Sequence, residues 1–282
     1  MLSPAQIETA RNIPAPWFGK LFYYLFPYRR PVVLENMRRV FGKALTEKEI
    51  VNLAQAYSGH FLRFGKDFIT FPFLSAEKRK KMVRIENAEA VLRVYEQKRG
   101  IVFLTGHFGN WEVAMSAAMQ AYPEMRGVFH IVRRPIRPKW FGDYVIRRTA
   151  RAGLESIGKS GTLFTMLKLL RAGKGIVFVF DQHAGGRDGV WVNFLGTPAG
   201  TFKSPAVLSM NTGAAVIPAD CWRDADGTHV LRFEEPLPLV EGKNQDETIK
   251  CNTENFNNAL GQMLLRHPEQ WIWMHRRWKT KK

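Results

Sequence analysis

The order of apolar and polar residues along the chain predicts two kinds of structure, one before and one after residue 100. Within 46–71, apolar side chains recur at the spacing of one helix face, and Thr46 followed by Glu49 forms a capping box at the start. A second helix is predicted over 87–98, because this stretch begins at an asparagine and ends before a glycine. The N-terminal part of the chain is therefore predicted to be helical.

Beyond residue 100 the pattern changes to apolar runs of strand length that alternate with helical segments. The runs cover 101–105, 127–132, 175–180, 214–219 and 229–233. Helical patterns occupy 110–121, 138–152, 160–172 and 202–211. Strands that are apolar throughout and alternate with helices indicate an α/β fold, with a mostly parallel or mixed central sheet flanked by helices. We expect 1–99 to form a helical and membrane-interface region and 100–282 the α/β core, in one structural unit.

The net charge of the chain indicates what kinds of partner it binds, and its cysteine content excludes some classes of protein. Lys and Arg number 42 against 25 Asp and Glu, a net charge of +17. Such an excess predicts an acidic partner: nucleic acid, an anionic membrane, a phosphorylated lipid or an acidic protein. With only Cys221 and Cys251 the chain has no disulfide framework, and two buried thiols in a reducing cytoplasm are expected. No zinc-type spacing of His, Cys or Glu occurs, so no metal is predicted.

A short aromatic segment near the N-terminus predicts contact with a membrane surface. Residues 17–28 read WFGKLFYYLFPY, with seven aromatics in twelve residues, and Arg29 and Arg30 follow at once. A spanning helix needs about 20 apolar residues. This segment is shorter and contains Lys20, and aromatics beside cations are typical of the headgroup level. We therefore predict peripheral or monotopic attachment; the alternative is that these aromatics pack on the core.

The segment GHFGNWE carries the most specific chemical signal. It follows a predicted buried strand and opens a helix, and the carboxyl end of a strand is where α/β proteins bind ligands. His107 and Glu112 can meet only if the chain turns between them, which Gly106 and Gly109 permit, with Asn110 as the helix cap. A carboxylate that holds one imidazole nitrogen would let the other abstract a proton. The alternative is a structural histidine in a polar turn.

This segment resembles the H-x4-D/E motif of glycerolipid acyltransferases, in the form found in the bacterial lipid A secondary acyltransferases. Further blocks agree in the same order: RRPVVLENMRRVFG at 29–42, VRRP at 132–135, the run from GIVFVFDQHAGG to SPAVLS at 175–209, and HPEQWIWMHRRWK at 267–279. The resemblance covers the chain from about residue 29. It implies transfer of a fatty acyl group from an acyl carrier protein thioester to a hydroxyl of a lipid A precursor or similar phosphorylated glycolipid. No cofactor is implied.

The resemblance also implies residue roles and a location. His107 would be the general base, with Glu112 as the carboxylate that orients it. The substrate-binding residues implied are Asn110, Arg133, Arg134, Asp181, Gln182, His275 and Arg276. Arg134 would clamp a phosphate or the developing oxyanion, Arg133 would enlarge the same basic patch, and Asp181 would shape the site. A solvated basic loop explains Arg133 equally well, and a carboxylate that accepts backbone hydrogen bonds in a turn explains Asp181 equally well. The location implied is the cytoplasmic face of the bacterial inner membrane.

Other functions are weighed against this one. A lysophospholipid or a glycolipid of the phosphatidylinositol mannoside kind is an alternative acceptor. Residues 153–160 match the G-x4-G-K-S pattern of a nucleotide-binding loop, but RRTARA stands where the preceding apolar strand is required. A nucleic-acid-binding protein is disfavoured because the basic residues are spread along the chain and no known module is present. No G-x-S-x-G occurs, so no acyl-enzyme is expected.

Overall fold

The computed structural model describes residues 2–132, 136–158 and 162–279. The helices in these ranges are α1 (Pro4–Asn12), α2 (Trp17–Leu25), α3 (Arg30–Phe41), α4 (Glu47–Thr70), α5 (Ala76–Lys81), α6 (Ala88–Glu96), α7 (Trp111–Ala121), α8 (Lys139–Arg151), α9 (Thr162–Arg171), α10 (Ser204–Thr212) and α11 (Gln245–Arg266). The strands are β1 (Val83–Glu86), β2 (Ile101–Thr105), β3 (Phe129–Val132), β4 (Glu155–Ile157), β5 (Gly175–Val179), β6 (Gly189–Phe194), β7 (Thr197–Phe202), β8 (Ala215–Arg223) and β9 (His229–Phe233).

Seven strands form one central sheet in the order β1-β9-β8-β2-β5-β3-β4. Neighbouring strands are parallel except for the antiparallel pair of β8 and β9. The predicted α/β fold with a mostly parallel sheet is thus confirmed. Strands β6 and β7 form a separate antiparallel hairpin that packs against α11. Strand β1, from before residue 100, joins the main sheet beside β9.

Alternation of side chains along β2 divides the core into two layers. Ile101 and Phe103 belong to a cluster with α6 and α7, whereas Val102 and Leu104 belong to a cluster with α10 and α11. The sheet is therefore covered on both faces, as its apolar strands predicted. Strand β2 lies at the centre, so the loop that follows it emerges from the most buried part of the sheet.

The elements that were not predicted individually from the sequence include the helices α1, α3, α5 and α11 and the strands β1, β4, β6 and β7. Strand β4 exposes Glu155 and lies at the sheet edge, so it lacks the apolar run by which the other strands were found. It also occupies the middle of the G-x4-G-K-S match, where a phosphate loop would need irregular backbone. Lys159 and Ser160 of that match lie outside the described residues.

The aromatic segment forms α2, which lies directly on α4. A Cβ on Gly19 would lie 2.6 Å from the Gln55 carbonyl oxygen and 2.9 Å from Gly59 Cα, so this contact between two helix backbones requires glycine. Tyr23 is buried and has the Arg30 guanidinium over its ring, whereas Trp17 is 76% exposed. No helix in the described ranges is both long enough and apolar enough to cross a bilayer.

Candidate active site

The loop between β2 and α7 holds His107 at the carboxyl end of the central strand. Gly109 has φ +49°, and a Cβ there would lie 2.5 Å from the Cys221 carbonyl oxygen, so both its backbone conformation and its surroundings require glycine. Asn110 caps α7, as predicted, by accepting a hydrogen bond from the Val113 N–H at 3.3 Å. The loop is thus packed against β8 and fixed at the start of the helix.

Asp181 holds the ring of His107. Its Oδ1 lies 2.9 Å and its Oδ2 3.2 Å from His107 Nδ1, and Oδ2 also accepts the His107 backbone N–H at 2.7 Å. The pair forms because β2 and β5 are neighbours in register, with Thr105 opposite Val179, so the residues just beyond both strands meet. The carboxylate therefore fixes both the ring and the backbone of the histidine.

The Asp181 carboxylate is fully buried and remains ionised through its partners. The Trp271 indole N–H donates to Oδ2 at 2.9 Å. Burial alone would raise the pKa of Asp181, but the charge of His107 and the hydrogen bonds from it lower the pKa to about 2. A Cβ on Gly106 would lie 3.0 Å from Oδ2, so the absence of a side chain there leaves room for this contact.

The C-terminal segment closes the site from the other side. Its backbone pairs with the histidine loop, because the Ile272 N–H donates to the His107 carbonyl at 3.1 Å and the Gly109 N–H donates to the Gln270 carbonyl at 2.9 Å. The ring centroid of His275 lies 5.2 Å from that of His107. Burial and the proximity of His107 lower the pKa of His275, so it is neutral near pH 7.

The other residues predicted for the site occupy different surroundings. Glu112 is in the first turn of α7 and lines a small cleft together with Arg148 of α8. Asn110 is buried, and its amide N–H also donates to the Phe64 carbonyl at 3.4 Å. Gln182 is half-buried next to Asp181, and Arg276 is exposed next to His275. Arg133 and Arg134 lie outside the described residues. The orienting role of Glu112 stays a prediction, as do the substrate contacts.

An apolar pocket leads from His107 into the core between α7 and the sheet. Its walls are almost entirely hydrocarbon and aromatic, and apart from Thr105, Gly106, His107, Asp220 and Cys221 they are formed by Phe103, Trp111, Ala114, Met115, Ala118, Met119, Phe129, Leu154, Val177, Val179, Ala219, Leu231 and Phe233. The ring centroid of Phe103 lies 5.0 Å from that of Phe129 and 5.5 Å from that of Phe233. Phe103 is two residues before Thr105 on β2. The volume of this pocket is about 70 Å³, which is room for a short stretch of alkyl chain, and its hydrocarbon walls suit such a chain.

A comparison of the chain with known protein families identifies the family to which it belongs. The family model described as bacterial lipid A biosynthesis acyltransferase matches residues 10–280, nearly the entire chain. The chain belongs to this family. The resemblance noted in the sequence is thereby confirmed, and the assignment as an acyltransferase follows from the family.

The sequence identity between this chain and its individual relatives is low. The phosphatidylinositol mannoside acyltransferase of Mycolicibacterium smegmatis is 22% identical over 247 residues, 86% of this chain and 77% of that protein. The lipid A biosynthesis palmitoleoyltransferase of Escherichia coli K12 is 26% identical over 203 residues, 72% of this chain and 63% of that protein. The solved 1-acyl-sn-glycerophosphate acyltransferase PlsC from Thermotoga maritima aligns over 87% of this chain and 97% of its own, with 15% identity and a TM-score of 0.36.

One residue of the site, Trp271, was not predicted from the sequence. It lies in the segment 267–279, but nothing in its local pattern indicates that its indole would reach a carboxylate 90 residues away in sequence. Asp181 was predicted only to shape the site, and its contact with His107 was not predicted. The signal that could have indicated this contact is that both residues directly follow apolar strands whose carboxyl ends lie at one edge of a parallel sheet. Among the described residues, no three His, Cys, Asp or Glu side chains lie together as a set that could hold a metal ion.

Proposed function

We propose that this chain transfers a fatty acyl group from an acyl carrier protein thioester to a hydroxyl of a lipid A precursor or similar phosphorylated glycolipid. The observation that carries the proposal is the position of His107, held on Nδ1 by Asp181 at the mouth of an apolar pocket. This places a base where the carbonyl of a fatty acyl chain would lie. The family and its named relatives support acyl transfer to lipid A or a related glycolipid.

In the proposed mechanism His107 acts through Nε2, because Nδ1 faces Asp181. Nε2 takes the proton of the acceptor hydroxyl as its oxygen forms a bond to the thioester carbonyl carbon, and the carbonyl oxygen becomes an oxyanion. The intermediate then expels the carrier's thiolate, which receives the proton back from the imidazolium. The buried Asp181 carboxylate stabilises the imidazolium between these steps. Arg134 is our proposal for the group that meets the oxyanion, as the family resemblance implies.

The acyl pocket can be tested by filling it. Ala114 lines the pocket and is fully buried, and leucine at this position would add three carbon atoms and so occupy the space of about three methylenes. At about 0.8 kcal/mol for each buried methylene, we expect Ala114→Leu to shift the preference from long to shorter acyl donors by about 50-fold. Competition between donors of two chain lengths, read by mass spectrometry of the product, measures this shift.

Ala117→Leu is the matched control for the pocket. Ala117 is on the same helix and also buried, but it packs against Phe71 and Val113 outside the pocket. Overpacking costs about 1–3 kcal/mol at either position, so thermal unfolding of both variants separates lost stability from altered selectivity. An equal change of selectivity in the two variants would contradict the acyl pocket.

Attachment to a membrane surface is part of the proposal, with the cytoplasmic face of the bacterial inner membrane as the location. Helix α2 contacts α4 through Gly19, and it turns large apolar side chains to the outside. The exposed ones from this segment are Trp17, Leu21, Tyr24, Leu25, Phe26 and Tyr28. The basic residues Lys20 and Arg29 lie beside them and are exposed, which suits anionic headgroups.

Liposome binding separates the contribution of the exposed apolar side chains from that of the basic residues. Phe18 and Phe22 are half-buried, so the outward residues Trp17, Leu21, Leu25 and Phe26 are the ones to replace. The four serine substitutions together should release the protein from liposomes at any salt concentration, because apolar burial is insensitive to salt. Lys20→Gln with Arg29→Gln should weaken binding mainly at low salt and on anionic lipid, by about 1 kcal/mol per cation.

The control for membrane binding is Leu239→Ser with Val240→Ser, two exposed apolar residues distant in sequence from α2. These should leave binding to liposomes unchanged. A wild-type protein that remains in solution with anionic liposomes at low salt would show that the segment has no interfacial role.

The whole proposal is tested with purified protein and a panel of substrates. Acyl carrier protein thioesters and the same acyl groups on coenzyme A are offered with a lipid A precursor, a phosphatidylinositol mannoside and a lysophospholipid, and products are read by mass spectrometry. We expect transfer from the carrier protein, whose acidic surface suits a chain of net charge +17, to the phosphorylated glycolipid. Transfer only to the lysophospholipid, or only from coenzyme A, would contradict the acceptor or the donor, respectively.

A further inference from the structure

A second cavity, a polar groove of about 920 Å³, borders the site on the side of α3 and the β6–β7 hairpin. It is lined by Val32, Glu35, Asn36, Arg39, His183, Gly185, Gly186, Gly189, Trp191, Arg276, Trp278 and Lys279. Its size is that of a small-molecule site, but it differs from the acyl pocket in having charged and aromatic side chains side by side.

The groove is connected to the candidate active site through two short stretches of chain. His183 is two residues beyond Asp181, and Arg276 directly follows His275, whose ring centroid lies 5.2 Å from that of His107. The Asn36 amide N–H donates to the carbonyls of Trp273 at 2.7 Å and His275 at 2.8 Å, so α3 fixes the C-terminal segment against the site. The groove therefore includes residues that directly neighbour both sides of the candidate active site in the chain.

The charge of the groove suits an anion. Three cations, Arg39, Arg276 and Lys279, face one carboxylate, Glu35, which pairs with Arg39 at 3.3 Å. Among the residues that the structure describes, neither Arg276 nor Lys279 has an ion-pair partner. Both side chains are exposed and can turn toward a ligand, and Arg is suited to bidentate contact with phosphate oxygens.

The uncharged part of the groove suits a sugar. Trp191 is half-buried and lines the groove with the cations, and its ring contacts that of His183 at a centroid distance of 6.0 Å and an angle of 66°. Burial and the nearby charges of Lys279 and Arg277 lower the pKa of His183, which leaves a neutral imidazole able to exchange hydrogen bonds with hydroxyls. At Gly186 a Cβ would meet no atom within 4 Å, so the floor is open.

We propose that this groove binds the phosphorylated sugar headgroup of the acceptor lipid, with Arg276 and Lys279 on the phosphate and Trp191 against the sugar. The proposal rests on the proposed function and adds the place and the chemistry of acceptor recognition. The acyl pocket and the groove would then present the two substrates to His107 from different sides. The shared chemistry is a sugar phosphate, which a lipid headgroup or a soluble sugar phosphate could supply.

The test is equilibrium binding of a phosphorylated glycolipid and its dephosphorylated form in neutral detergent micelles. Arg276→Gln with Lys279→Gln should weaken binding of the phosphorylated lipid about 10- to 100-fold and leave the dephosphorylated lipid unchanged. Trp191→Ala should weaken both. The matched control is Arg171→Gln with Lys250→Gln, which removes the same charge from exposed residues outside the groove and should change neither.

Soluble competitors distinguish the sources of the anion. Glucose 1-phosphate should displace the lipid at lower concentration than inorganic phosphate; equal potency would show a bare anion site and overturn the role of the sugar. Equal affinity of the wild type and of the Arg276–Lys279 variant, with unchanged thermal unfolding, would overturn the groove as the phosphate site. Binding is read without turnover, so a wild-type protein that binds the lipid in the groove but acylates nothing would refute the proposed function alone.

Discussion

His107→Ala is expected to lower the rate of acyl transfer by about 10²–10⁴, equivalent to about 3–5.5 kcal/mol of barrier. The variant removes the imidazole that Asp181 holds by a hydrogen bond, and the residues that the structure describes show no such hydrogen bond between His275 and a carboxylate. The loss should appear in kcat, measured with saturating acyl carrier protein thioester and glycolipid.

The fold should survive this substitution. His107 contributes a ring at the mouth of a pocket, whereas its backbone contacts to Asp181 and Ile272 remain in the alanine variant. Unchanged thermal unfolding together with lost transfer is the expected result. Near-normal turnover in the folded variant would exclude His107 as the general base.

Asp181→Asn is expected to lower kcat by a similar factor, about 10²–10⁴, although the side chain keeps its shape. An amide cannot stabilise the imidazolium, and its N–H₂ group can hold Nδ1 as an acceptor, which puts the proton on the wrong nitrogen. The measurement is kcat of Asp181→Asn beside Glu112→Gln. The structure places Asp181 on Nδ1 and Glu112 in a cleft with Arg148, so the two variants separate an orienting carboxylate from one with another role.

If Glu112 is the orienting partner, as the H-x4-E motif alone implies, Glu112→Gln will be the more damaging of the two. A folded Asp181→Asn enzyme with normal kcat would contradict the role assigned to Asp181. Comparable losses in both variants would mean that both carboxylates act on the imidazole or on the substrate it serves.

The same substitution has a pH signature in stability. The pKa of Asp181 is about 2 in the folded protein, below its ordinary value of 3.8, so the carboxylate stabilises the fold above about pH 4 and ceases to do so as the pH falls toward 2. The difference in unfolding free energy between wild type and Asp181→Asn should therefore shrink by about 2 kcal/mol over that window. A difference that is independent of pH would show that the carboxylate is not held as an ion.

Much of the site could be predicted because it is local. The strand 101–105 is an uninterrupted apolar run, and the glycines and the cap of GHFGNWE determine a tight turn into a helix within a few residues. His107 at a strand end follows from these features alone. The capping box of Thr46 and Glu49 is similarly local, and both of its backbone hydrogen bonds are present.

Elements with buried polar residues escaped prediction. Helix α11 buries Asn252 and Asn257, whose amides donate to the carbonyls of Val240 and Asn193. Because these polar side chains lie on the inward face of the helix, apolar residues do not recur at the spacing by which a helix is recognised. The β6–β7 hairpin contains Pro198 and exposed side chains beside buried ones, so it lacks the apolar run that identified the central strands.

By itself the sequence determined the α/β class, the position of His107 and the family, since each depends on neighbouring residues or on ordered blocks of them. Only the tertiary structure decided which carboxylate holds the imidazole. Strands β3 and β4 intervene in sequence between β2 and β5, yet β2 and β5 pair directly, and this brings Asp181 to Nδ1 across 74 residues. Likewise, the backbone contact of Gly19 with Gly59 decided which aromatics of α2 face outward, because helix orientation is set by the surface on which the helix packs.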